Sequence, residues 1–110
     1  MKVDFDTILK SISGENLKED DEKTDLKLSV PCINSLLISA PQKQGERPEE
    51  GRAKLLRYKL AKKIYSGGVI DVTAEEISLL KQKIGEVFGP ALVGPAFEVL
   101  EGLSDEETQN

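Results

Sequence analysis

Residues 66–77, SGGVIDVTAEEI, combine adjacent glycines, an aspartate and paired glutamates, which are residue types that can hold phosphate or metal ions. A phosphate-binding loop needs several glycines and a lysine at fixed spacing, whereas this stretch has only Gly67 and Gly68 and no lysine. A calcium loop needs oxygen ligands at alternate positions, and the apolar residues Val69 and Val72 stand at such places. The stretch therefore matches neither kind of ligand-binding loop.

The same stretch is explained by the boundaries of two helices. Gly67 stands where a left-handed residue is expected to end a helix, and the β-branched VIDV that follows favours a short extended segment. Thr73, with Glu76 three residues later, matches the capping box that begins a helix. We therefore predict a connector that binds no ligand.

Few residues elsewhere are suited to catalysis. Adjacent acids at positions 49–50, 75–76 and 106–107 point in different directions on a helix, whereas acid–base catalysis needs carboxyls that converge on one substrate. The chain has no histidine and one cysteine, so zinc sites and Cys-His catalysis lack their usual ligands and bases. We expect Cys32 to be a packed side chain. The prediction is a non-enzymatic protein without catalytic residues, cofactor or metal.

Charge is distributed unevenly along the 110 residues. The formal net charge of −5 and the isoelectric point near 4.8 disfavour broad attraction to nucleic acid or anionic membranes. Residues 46–63, however, carry seven bases against three acids, and residues 64–110 carry nine acids against two bases. The positive charge is thus concentrated in one segment.

That basic segment is predicted to form a helix over residues 48–65, with Pro48 at its start. Its apolar stripe at helical spacing is predicted to enter the core, and consists of Ala53, Leu56, Leu60 and Ile64.

Beside this stripe, bases surround Leu55 and Tyr58, and apolar or aromatic side chains among cations recur at protein contacts. The predicted partner-binding residues are Arg52, Leu55, Tyr58, Lys59, Lys62 and Lys63. One alternative is a solvated face whose lysines pair with nearby glutamates. Another is a regulator associated with nucleic acid through Arg52, Lys59 and Lys63.

The first 30 residues admit two interpretations. Phe5, Ile8, Leu9 and Ile12 have helical spacing, but Gly14 and the later alternation in DLKLSV favour a hairpin or small meander. No internal repeat is apparent in the sequence.

Further helices are predicted from Val30 and from Thr73. Near the C-terminus, Pro95 either follows a turn and begins a helix or interrupts one near Gly94. We predict one domain over residues 1–102 and a disordered acidic tail over residues 103–110.

No apolar run is long enough to span a bilayer, and the N-terminal MKVDFDTILKSIS has acids where a signal peptide needs a basic start and an apolar middle. A single cysteine agrees with a reducing compartment. We expect a cytoplasmic location and no membrane association.

Four segments in this order resemble small accessory proteins encoded by tailed bacteriophages. They are ILKSISGENLKEDDEKTDLKLS, VPCINSLLI, RYKLAKKIYSGGVIDVTAEEISLLKQKIG and LVGPAFEVLEG, and the resemblance covers the chain from about Asp6 to Gly102. It implies a hairpin around Gly14, and hence an α+β fold in which a short N-terminal β-hairpin precedes a compact bundle of about four helices. The alternative is an all-α fold. The resemblance also implies action in the bacterial host cytoplasm through a protein partner, either in virion assembly or on a host protein.

Overall fold

A computed structural model describes residues 1–38 and 50–102 of the chain. Within these residues, two strands and four helices follow in the order β1, α1, α2, β2, α3 and α4. Their bounds are β1 Lys2–Asp4, α1 Ser29–Leu37, α2 Gly51–Tyr65, β2 Val69–Asp71, α3 Ala74–Val87 and α4 Pro90–Leu100. The predicted α+β class with four helices is confirmed.

The helix α1 lies at the centre of the fold. It packs against both α2 and α3, while α4 packs against α3 and β1. The core draws on every helix and on the N-terminal segment, and its largest fully buried apolar side chains are Phe5, Leu9, Leu28, Leu36, Ile64, Val72, Leu80 and Ile84. Burial of these side chains is the main favourable contribution to folding.

The two regular strands come from distant parts of the chain. β1 and β2 pair antiparallel, with Lys2 opposite Asp71, Val3 opposite Ile70 and Asp4 opposite Val69. Because side chains alternate along a strand, Val3 and Ile70 share the inward face of this small sheet. The pairing ties the N-terminus to the connector between α2 and α3.

Between β1 and α1 the chain is extended and not helical. It reverses direction at Gly14, whose φ of 91° lies in the left-handed region, and Lys10 pairs antiparallel with Asn16 across that turn. The hairpin interpretation is therefore correct, and Ile12 projects fully into solvent.

This region also holds a three-part repeat that the sequence did not reveal. The N–H of Leu17 donates to the carbonyl of Leu9 at 2.8 Å, Leu26 donates to Leu17 at 2.8 Å, and Leu9 donates to Leu26 at 2.9 Å. The three leucines thus close a ring of backbone hydrogen bonds, and each is followed by a lysine. The sequence does not indicate this repeat, because the three segments have only the Leu-Lys dipeptide in common.

Near the C-terminus, α4 is one helix that runs through Pro95. Pro90 occupies its first turn, where a missing N–H is tolerated. Pro95 interrupts the hydrogen bonding of the helix, and the residue before it, Gly94, has no Cβ to clash with the proline ring. The interpretation in which a separate helix begins at Pro95 is wrong.

Some predictions fall outside the described residues. Pro48, the predicted start of the basic helix, is among them, and so is the predicted tail at residues 103–110. Glu50 has an extended backbone, so α2 begins at Gly51 and not at the predicted position. None of the described helices has both the length and the apolar character needed to cross a membrane.

Candidate partner-binding surface

The helix α2 turns a different stripe toward the core from the one that its sequence predicts. Its buried residues are Arg57, Leu60, Ala61 and Ile64, which follow helical spacing. The predicted burial of Leu60 and Ile64 is confirmed. The predicted burial of Leu56 is wrong, because this side chain is 55% exposed.

Arg57 explains this rotation of the helix. Its side chain is 5% exposed, and its Nη1 atom donates to the carbonyl oxygen of Ile38 at 3.0 Å. Ile38 immediately follows α1, so the bond links α2 to the end of the central helix. The aliphatic part of an arginine packs like an apolar side chain while its guanidinium donates hydrogen bonds. A sequence pattern that ranks residues by hydropathy therefore omits Arg57.

The six predicted partner-binding residues all lie on the exposed side of α2. Leu55 is 44% exposed and Tyr58 is 54% exposed, and both lie among the exposed cations. We call these six residues the basic face, and they are Arg52, Leu55, Tyr58, Lys59, Lys62 and Lys63.

The charge on α2 has one sign. The helix holds six bases and no acid. Among the ion pairs of residues 1–38 and 50–102, the basic face takes part in one, between Lys63 Nζ and Glu76 Oε1 at 3.0 Å. Most of its positive charge therefore faces solvent, and the expectation that its lysines are paired with glutamates holds only for Lys63 in this part of the chain.

Beside the basic face, a mostly apolar groove of about 360 Å³ lies between α2 and α3. Leu60 forms its floor, and Leu56 and Leu79 form apolar walls on the two helices. We call it the α2–α3 groove, and its lining residues are Leu56, Lys59, Leu60, Lys63, Glu75, Glu76 and Leu79. The sequence missed it because Leu56 was placed in the core.

Glu76, one half of the predicted capping box, also lines this groove. Thr73 Oγ1 accepts from the Glu76 N–H at 3.1 Å, and Glu76 Oε1 accepts from the Thr73 N–H at 2.8 Å. The predicted capping box is confirmed, and Lys63 pairs with the same glutamate oxygen. Burial raises the pKa of Glu76, but the Thr73 N–H and the Lys63 ammonium outweigh it and hold that pKa below its usual range.

The glycines of the connector have a structural role. Gly67 and Gly68 have φ of 73° and 74°, and the Gly68 carbonyl accepts from the Phe5 N–H at 2.9 Å. A Cβ on Gly67 would lie 3.0 Å from Asp6 Oδ1. Gly67 therefore ends α2 as predicted, and the close approach of the N-terminal segment requires a small residue there.

Carboxylates elsewhere hold turns. Asp21 Oδ1 accepts from the N–H groups of Lys23 and Thr24, each at 2.9 Å, and Asp21 Oδ2 accepts from the Thr24 hydroxyl at 2.6 Å. These bonds lower the pKa of Asp21 to about 2, the Thr24 hydroxyl contributing most. Asp21 also borders a second groove, of about 310 Å³, whose apolar wall includes Val30 and Phe88.

Cys32 is fully buried, as expected for a packed side chain. Burial raises the pKa of its thiol to about 12, so the nucleophilic thiolate is scarce at neutral pH. Across residues 1–38 and 50–102, no group of three or more His, Cys, Asp or Glu side chains is placed to hold a metal ion.

Comparison with known proteins finds no family model, no curated protein and no solved structure that matches this chain.

Proposed function

We propose that this chain is a non-enzymatic binding protein whose basic face contacts an acidic surface of another protein. The observation that carries the proposal is the exposure of Leu55 and Tyr58 among cations on a helix that holds no acid. A few well-packed residues, with tyrosine and arginine frequent among them, contribute most of the affinity at protein contacts, while charges around them steer the encounter and select the partner.

The cellular setting of this proposal rests on the resemblance to tailed-phage accessory proteins. By that analogy the protein acts in the cytoplasm of a bacterial host, as a helper in virion assembly or as a modulator of a host protein.

A nucleic-acid-associated regulator is the second candidate, favoured by the six bases and absent acids of α2. Of its three proposed contact residues, Arg52 and Lys59 face solvent, whereas Lys63 is held by Glu76. The net charge of −5 opposes this function at long range.

Affinity capture from a nuclease-treated bacterial lysate tests the leading proposal. The baits are the wild type, the double variant Leu55→Ser/Tyr58→Ser, and Ile12→Ser as a control that removes an exposed apolar side chain elsewhere. We expect one protein that the wild type and the control retain equally and that the double variant retains about tenfold less. Equal retention by all three baits would exclude the basic face as the contact.

A salt titration separates the two candidates. Binding of labelled duplex DNA should weaken log-linearly and steeply as salt rises if the basic face holds phosphates. A protein contact anchored by Leu55 and Tyr58 should weaken less steeply, because only the surrounding charges are screened by salt. Charge reversal at Arg52, Lys59 and Lys62 leaves the capping box intact, and both candidates fail if those three changes affect neither interaction.

A further inference from the structure

We propose that the α2–α3 groove binds an amphipathic helical segment of the partner protein, whose apolar stripe contacts Leu56, Leu60 and Leu79 and whose acidic flank faces Lys59. This inference rests on the proposed function, because it takes α2 to be the partner-binding helix. The inference adds a specific binding site next to the exposed anchors of the basic face, and it specifies the partner segment as an amphipathic helix with an acidic flank.

The first support is the apolar surface in the groove. Leu60 is buried at its floor and Leu79 packs partly against the core, whereas Leu56 is 55% exposed at the rim. An exposed leucine beside two more buried ones forms a continuous apolar patch, and a helix laid in such a groove anchors itself through a few apolar side chains.

The second support is the opposite charge of the two walls. Lys59 stands on the α2 wall and continues the basic face, while Glu75 stands exposed on the α3 wall. Lys63 and Glu76 also line the groove and neutralise each other. An occupant therefore gains from acids on its α2 side and loses from acids on its α3 side, which fixes its orientation in the groove.

The charge of α2 also argues against a second copy of this chain as the occupant. Two-fold pairing through α2 would bring together two helices that each carry five exposed bases and no acid. Like charges at close range disfavour that contact. An acidic flank on a different protein relieves the same repulsion.

The third support is that the groove is already formed. The Lys63–Glu76 ion pair links the end of α2 to the start of α3, and the capping box with Thr73 orients the Glu76 side chain. Both α2 and α3 pack against α1. Packing against the core therefore fixes the positions of the two helices that line the groove. A preformed groove spares the partner the cost of ordering its binding site.

Two synthetic peptide pools serve as probes. The acidic pool consists of peptides of about 15 residues, about four helical turns, with Leu, Ile or Phe at helical spacing, Glu or Asp along one flank and Gln elsewhere. The control pool has Lys in place of each Glu or Asp. Fluorescence anisotropy measures binding, and backbone amide shifts in NMR spectra locate it.

Neighbouring leucines provide the matched pair of variants. Leu55→Ser and Leu56→Ser make the same change at adjacent exposed positions of α2, but only Leu56 lines the groove. We expect the acidic pool to bind the wild type more tightly than the control pool does. Leu56→Ser should weaken that binding about tenfold, and Leu55→Ser less than about twofold.

Charge exchange tests the orientation. Lys59→Glu should weaken binding of the acidic pool and strengthen binding of the control pool, because the reversed wall then attracts the reversed flank. Amide shifts should centre on Leu56 and Leu79.

Each other result has a separate meaning. Binding that Leu55→Ser abolishes and Leu56→Ser spares overturns the groove and leaves the basic face as the contact. Equal binding of the two pools would contradict the proposal that the occupant is acidic. The proposed function would then still be tested separately by the lysate capture. A lack of response to all three variants, with unchanged lysate capture by Leu55→Ser/Tyr58→Ser, removes both proposals.

Discussion

At the residue scale, the capping box at the start of α3 gives the most direct prediction. Thr73→Ala removes the side-chain acceptor of the Glu76 N–H and should lower the free energy of unfolding by about 1 kcal/mol. Urea denaturation measures the loss. Ser78→Ala is the control, since it alters an exposed side chain within the same helix. Equal stability of the two variants would show that the cap contributes nothing to folding.

The turn at Asp21 predicts a dependence of stability on pH. The folded pKa of about 2 lies below the ordinary value of 3.8, so the ionised carboxylate stabilises the fold above about pH 4. This contribution is lost as pH falls toward 2. The difference in urea midpoint between the wild type and Asp21→Ala should therefore shrink over that interval.

The neighbouring acid supplies the control for this measurement. Asp20→Ala removes the same charge from the same exposed loop, while the carboxylate that accepts from Lys23 and Thr24 belongs to Asp21. A pH profile of Asp21→Ala that matches that of Asp20→Ala would attribute the effect to net charge and not to the turn.

Structural features that depend on residues close together in the chain could be predicted from the sequence. Gly67, Thr73 and Glu76 were identified correctly because a left-handed helix end and a capping box depend on residues within three or four positions. Arg57 was not, because its burial depends on the carbonyl of Ile38, nineteen positions away in the chain.

At the element scale, the rotation of α2 distinguishes two leucines that the sequence placed on one stripe. Leu60 is buried and Leu56 is 55% exposed. Leu60→Ala should lower the free energy of unfolding by about 2–5 kcal/mol, because it leaves a cavity in the core. Leu56→Ala should change it by less than about 0.5 kcal/mol.

Thermal or urea denaturation of the two variants checks this prediction. Comparable losses for both would restore the stripe that hydropathy predicts and would remove Leu56 from the α2–α3 groove. Successive residues of an α-helix are about 100° apart around its axis. On that basis, the centre of the buried stripe lies roughly 45° around the axis from the centre of the predicted stripe, which is a small rotation. It nevertheless decides which leucine is exposed to solvent.

The sequence determined the existence of the helices better than their orientation. Periodicity and helix-boundary residues predict the four helices, and α3 buries Ile77, Leu80 and Ile84, which follow helical spacing. The extended N-terminal segment needed more than periodicity, because its four apolar residues fit helical spacing equally well. The backbone hydrogen bonds between its separate parts determine the extended structure. In particular, the backbone N–H and carbonyl groups of Leu9, Leu17 and Leu26 bond to one another.

At the scale of the whole molecule, Cys32 reports on global unfolding. It is fully buried on the central helix, and its thiol pKa of about 12 leaves little thiolate at pH 8. Reaction with a thiol reagent should therefore require unfolding, and its urea dependence should coincide with loss of helical circular dichroism. The urea-unfolded chain, reacting at once, is the control. Rapid labelling of the native protein would indicate a local opening around α1.

The charge of the whole molecule was determined by the sequence alone. A net charge of −5, with an excess of bases over acids in residues 46–63, follows from counting and does not depend on the fold. It predicts an acidic protein with one basic element, and the exposed cations of α2 agree with that.

The sequence by itself determined the end of α2 at Gly67, the capping box of α3, the presence of four helices and the basic segment, because these depend on neighbouring residues and on composition. The tertiary structure decided the pairing of β1 with β2, the ring of three leucines, the burial of Arg57 and the groove beside Leu56. Each of these joins residues that are distant in the chain. Which face of a helix is buried depends on the packing available across the whole core, and hydropathy along one segment carries only part of that information.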